Sequence, residues 1–76
     1  MLHLTEVLRN VVEHKGNYYY VDSRMLFLGE YQTMIFVCDK KGKVLNWNEL
    51  YVEDYDSYDE MERCHNKIVA NIGNVI

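Results

Sequence analysis

The chain has 76 residues and a formal net charge of −4; 49% of its residues are apolar and 26% charged. Such a composition describes one small folded domain and excludes disorder, a second substrate domain and sequence-independent nucleic-acid binding, which needs clustered Lys and Arg. A domain of this size buries only roughly 60% of its unfolded surface, so its stability is marginal.

Leu4, Val7, Leu8, Val11 and Val12 recur at helical spacing and Gly16 follows as a C-terminal stop, which predicts a short N-terminal helix over 4–14. The aromatic run 18–21 reads as strand, with 25–28 either continuing it or forming a second short strand before Gly29. Residues 31–38 form the clearest strand. Both alternating faces of that run are largely apolar, as suits a central strand. Asp39-Lys40-Lys41-Gly42-Lys43 reads as a hairpin loop in which Gly42 takes positive φ.

Residues 44–52 return as the next strand. Leu45 and Trp47 share one phase while Leu50 and Val52 share the other, so a bulge or tight bend is expected near Asn48. Ser57, with Glu60 three positions on, opens a helix as a capping box. Met61, Cys64, His65, Ile68, Val69 and Ile72 form its apolar stripe, and Gly73 closes it. The expected fold is α+β over 1–76: a three-stranded antiparallel meander packed against the C-terminal helix, with the short N-terminal helix on the other face or an edge. The expected core is Val7, Leu8, Val11, Ile35, Phe36, Val37, Leu45, Trp47, Leu50, Met61, Ile68 and Ile72.

Charge is segregated. Residues 1–48 carry five acids and six bases, whereas 49–62 hold seven acids and no base, with three tyrosines among them. Tyrosine supplies contact area at low entropy cost and clustered charge steers encounter, so this segment suits a basic partner. The candidate contact residues are Glu49, Tyr51, Glu53, Asp54, Tyr55, Asp56, Tyr58 and Asp59. Helix capping and solubility account for part of the same cluster. An EF-hand is not indicated, because the alternating oxygen ligands and central glycine are missing.

His65 on the apolar stripe reads as a packed, hydrogen-bonded histidine. Its neighbour Cys64 diverges from it around the helix, leaving Cys38 as the cysteine that a helix–sheet contact would bring near. His3, His14, Cys38, Cys64 and His65 have no metal-ligand spacing, so no metal or cofactor is expected. No nucleophile–base–orienter set is visible, so the expectation is a protein that is not an enzyme. Lys40, Lys41 and Lys43 around Gly42 make a basic hairpin tip able to meet an anion such as a nucleotide. The two cysteines stand apart in sequence, and no basic region followed by an apolar run opens the chain, which points to a reducing cytosol.

The strings YQTMIFVCD at 31–39, the glycine of KKGKV, NWNEL at 46–50 and CHNKIV at 64–69 resemble a family of small proteins from tailed bacteriophages and prophages of Firmicutes. In that family a glycine commonly precedes the histidine where this chain has Cys64, and a glutamate stands where it has Gln32. The resemblance covers about half of the chain and implies a phage origin, hence the host cytoplasm, but no particular activity. Combined with the acid–tyrosine segment, it leads to a stoichiometric inhibitor of a host defence protein, anti-CRISPR-like, that blocks a basic nucleic-acid-binding site. The alternatives are a small-ligand or nucleotide-sequestering anti-defence protein using Lys40, Lys41 and Lys43, and a self-associating phage structural or regulatory protein, as a homodimer for example.

Overall fold

The computed structural model describes residues 7–76. Four strands, β1 (Val7–His14), β2 (Asn17–Phe27), β3 (Glu30–Cys38) and β4 (Val44–Tyr55), form one antiparallel sheet in the order β1-β2-β3-β4. Helix α1 (Tyr58–Ala70) and a 3₁₀ turn (Ile72–Asn74) complete the chain.

The three-stranded meander expected from sequence is therefore corrected to four strands, and the N-terminal helix is replaced by β1. That correction applies to 7–14, since 4–6 lie outside the described residues. The apolar positions of this segment fit both periods, but three β-branched valines favour the strand. Lys15 (φ 52°) and Gly16 (φ 83°) are the two residues between His14 and Asn17, which pair across the hairpin. Positive φ at both is what a two-residue I′ turn requires. Gly16 is thus a hairpin residue, not a helix stop.

The aromatic run and residues 25–27 make a single strand, β2, with a register irregularity between Met25 and Phe27. Gly42 has φ 88° in the β3–β4 loop, as expected. The expected slip near Asn48 is a large bulge. Ile35 pairs with Tyr51 but Val37, two residues on, pairs with Asn46. Asn46 Oδ1 accepts the Asn48 N–H at 2.8 Å and turns the chain there.

Alternation and register sort the side chains onto two faces. Asn10, Val12, Tyr19, Val21, Ser23, Thr33, Ile35, Tyr51, Glu53 and Tyr55 lie on the face that α1 covers. Ser57 caps the helix by accepting the Glu60 N–H at 3.2 Å, and Asp59 and Glu60 complement its positive end. The helix ends at Asn71 rather than Gly73. Gly73 serves packing instead, because a Cβ there would stand 2.5 Å from the His14 ring.

Met61, His65 and Ile68 turn inward from α1. Ile68 and Ile72 close with Val21 and Ile35 into the core, each buried side chain contributing about 1.5–3 kcal/mol. Of the expected core, Ile35, Phe36, Met61, Ile68 and Ile72 are buried and Val7, Leu8 and Val37 half-buried. Val11, Leu45, Trp47 and Leu50 are exposed instead. Trp47 lies on the face without a helix, edge-on to Phe36 with ring centroids 5.1 Å apart. Among the described residues no second layer buries these four.

Candidate interaction surface

β4 is an edge strand, so it leaves one row of backbone donors and acceptors unpaired. The acids begin along it. Glu49 is exposed in the bulge, and Tyr51, Glu53 and Tyr55 point to the helix side. Asp54 points to the opposite face, where it accepts from Gln32 Nε2 at 2.9 Å. Asp56, Asp59, Glu60 and Glu62 are exposed at the β4–α1 corner and on the first turns of the helix. The segment is thus an acidic rim with Asp54 on one side of the sheet and most of its companions on the other.

None of the rim's carboxylates is ion-paired among the described residues, where Asp22–Arg24 is the one salt bridge, although Arg63 and Lys67 stand on the same helix and Lys67 shares a groove with Glu53. The phenols are less available than the carboxylates. Tyr55 is 4% exposed and offers no surface. Its hydroxyl is held up the pKa scale, mainly by burial and further by the Glu53 charge, against a hydrogen bond with Thr33. Tyr51 donates to Glu53, and burial with that carboxylate pushes its phenol up to about 12. Tyr58 is half-buried, edge-on to Tyr31 at 6.3 Å. Tyr51 and Tyr58 keep partial exposure as contact surface.

An open groove of about 470 Å³ runs between β4 and α1, with Tyr51, Glu53, Cys64, Lys67, Ile68 and Asn71 among its walls. Lys40, Lys41 and Lys43 line none of the described grooves. Their loop is ordered by Asp39 Oδ1, which accepts the Lys41 and Lys43 N–H groups at 2.8 and 2.9 Å. Among the described residues no three His, Cys, Asp or Glu side chains gather to hold a cation. No helix there is long and apolar enough to cross a membrane.

His65 does not meet Cys38, which lies on the opposite face of β3. It sits instead in a buried polar chain under α1. His65 Nε2 donates to Asn10 Oδ1 at 2.7 Å, which makes Nδ1 the acceptor for the Ser23 hydroxyl at 2.6 Å. The Ser23 oxygen then accepts from Thr33 at 2.5 Å. Desolvation lowers the His65 pKa, partly opposed by the charge of Asp22. The Ser–His–Asn order is that of a nucleophile, base and orienter. Yet Ser23 and Thr33 are fully enclosed and His65 is 1% exposed, so no substrate reaches the hydroxyl in this conformation. Every buried side-chain polar atom among the described residues has a partner, as a structural polar core requires.

Ser23, Thr33 and Asn10 were not singled out by the sequence, and neither was the Asp22–Arg24 pair. The available signal for Ser23 was its phase: it stands two residues after Val21, on the side of the strand that carries the core. Burial and Asp39 raise the Cys38 thiol pKa. No protein-family model, no curated protein and no solved structure matches the chain.

Proposed function

We propose that this chain is a non-catalytic binding protein whose acidic β4–α1 rim docks on a basic surface of a partner protein. The observation that carries this reading is that the seven carboxylates of 49–62 lie on an edge strand and the adjoining helical turns, and none of them is held in a salt bridge among the described residues. Like charges held together repel, and a basic partner relieves that repulsion. Glu49, Glu53, Asp56 and Asp59 act as the phosphate surrogates of such a surface, and Asp54 reaches it from the other side of the edge. Tyr51 and Tyr58 add contact area.

The resemblance to phage proteins supplies the partner class: a host defence nuclease of the CRISPR type, blocked stoichiometrically in the host cytoplasm at the groove where it holds nucleic acid. Nucleotide sequestration has less support, because the lysines of the 39–43 loop do not converge with a stacking tyrosine on a groove.

The test is capture of a partner from host lysate, followed by affinity measurements against salt with the Glu49→Lys/Asp56→Lys variant. The expected result is weaker binding with a flatter salt dependence. Unchanged affinity for the captured partner would sink the acidic-rim reading.

A further inference from the structure

The sheet face turned away from α1 is not built for water. A one-sided antiparallel sheet ordinarily alternates apolar-in and polar-out. Here Val11, Tyr20, Met34, Phe36, Trp47 and Val52 all point outward from the helix. Val11 is 44% exposed, Val52 40% and Trp47 69%. Val11 and Trp47 are also residues whose pattern reads as core. Sequence pattern and fold agree once something beyond the described residues covers this face.

We propose that its cover is a second copy of this chain, laid face to face across a two-fold axis that runs along β3. The strand register selects that axis. Arg24, Gln32 and Asp54 form one row across β2, β3 and β4, and Asp22, Met34 and Val52 form the next. Tyr20 and Phe36 form a third, with Trp47 against Phe36. Rotation about β3 carries β4 of one copy over β2 of the other, row upon row. Arg24 then stands opposite Asp54 of the second copy, while Met34 and Phe36 meet their own counterparts. Trp47 of each copy comes over Tyr20 of the other, at the mouth of the trough of about 350 Å³ bounded by Tyr20, Arg24, Met34, Phe36 and the chain's own Trp47.

The charges fit a copy better than a basic stranger. Arg24 binds Asp22 through Nε at 3.1 Å and Nη2 at 2.5 Å, which leaves Nη1 free for the opposing carboxylate. Arg9 and Arg24 against Asp22 and Asp54 make these two rows neutral in themselves, so a second copy brings no net charge to the contact. The remaining acids of the 49–62 segment stand at the strand edge and on the helix side, away from the contact. At the far end the β3–β4 loop folds over the face, with Gly42 so close to Val11 that an added Cβ would lie 3.0 Å from Cγ2. The contact is therefore confined to the rows between Trp47 and Asp54. Confined to those rows, the contact covers only part of the 39 by 22 Å broad side and is smaller than the roughly 800 Å² that each partner gives a standard interface, which sets a weak, concentration-dependent dimer. The proposal does not depend on the basic partner.

Sedimentation equilibrium of the full chain from micromolar to millimolar concentration tests it, with the fluorescence of Trp47, the sole tryptophan, read in parallel. The expected result is a monomer–dimer equilibrium in which emission shifts to the blue as dimer forms. Trp47→Glu is expected to give a monomer with unchanged circular dichroism. Asp54→Arg is expected to weaken the dimer about tenfold, less so at high salt. If Trp47→Glu does not fold, Val52→Lys reads the same face. A wild-type chain that stays monomeric at millimolar concentration overturns the proposal, and so does a face variant that dimerises like wild type.

Discussion

Replacing Ser23 by Ala removes one hydroxyl from a site with no solvent access and breaks the polar chain at its middle. The loss falls on the Thr33 hydroxyl and on His65 Nδ1, a buried acceptor left without a donor. Leaving such a group unsatisfied costs about 1–3 kcal/mol. A domain of this length has roughly 4–11 kcal/mol in total, so the loss is a large fraction. Urea unfolding at a pH where His65 is neutral reads it directly. With m near 1 kcal/mol per molar, the midpoint falls by about 1–3 M. The companion variant Ser23→Ala/Thr33→Val/His65→Leu removes donors and acceptors together and substitutes apolar groups of similar shape. Asn10 is exposed and can turn to water, so the triple variant is expected to be more stable than Ser23→Ala alone. A single-variant loss below about 0.5 kcal/mol, or a triple variant worse than the single, would refute the assignment of this chain as a satisfied polar core.

Two further outcomes follow from the same geometry. Burial holds His65 neutral in the folded state while the unfolded chain binds its proton near the ordinary value of 6.5, so the unfolded state is the better proton binder below that pH. Stability should therefore fall as pH drops through 6.5, by up to about 1.4 kcal/mol per pH unit, with no such term above it. Urea midpoints across this range should show the slope in wild type and lack it in His65→Leu. Ile68→Ala empties part of the cluster formed with Val21, Ile35 and Ile72 and should cost about 2–5 kcal/mol. The melting temperature would drop by roughly 10 °C or more, and a melt unchanged within error would refute the placement of the helical stripe.

Legibility followed the range of the interactions that decide each element. α1 was readable because its cap, first-turn acids and apolar stripe all lie within one helix, and each of those cues is local. β3, the 39–43 loop and the β4 bulge were readable for the same reason. β1 was not. Val7, Leu8, Val11 and Val12 satisfy a helical period and a strand equally, and what selects the strand is pairing with β2 through the Lys15-Gly16 turn. The expected core departs from the observed one in both directions, since Val21, Cys38 and Tyr55 are buried without having been expected there. Val11, Leu45, Trp47 and Leu50 were read as buried because periodicity reports which face is apolar and cannot report whether a second layer exists to cover it.

The acidic rim was legible as composition, but its shape was not. Strand alternation puts Asp54 on the open face, sinks Tyr55 into the core and points Glu53 toward the helix, so adjacent letters become different surfaces. The buried chain from Asn10 to Thr33 was illegible for a stronger reason. Its members come from β1, α1, β2 and β3, and His65 lies 55 residues from Asn10 and 42 from Ser23. Only the completed fold brings them into reach. That arrangement also ties the order of the polar core to the docking of α1, since His65 is the helix's contribution to it. A perturbation that lifts the helix, by acid or by a cavity at Ile68, removes the acceptor for Ser23 and the donor for Asn10 together. Packing and polar satisfaction in this small domain are thus one cooperative unit, and the open sheet face is where apolar surface remains to be covered.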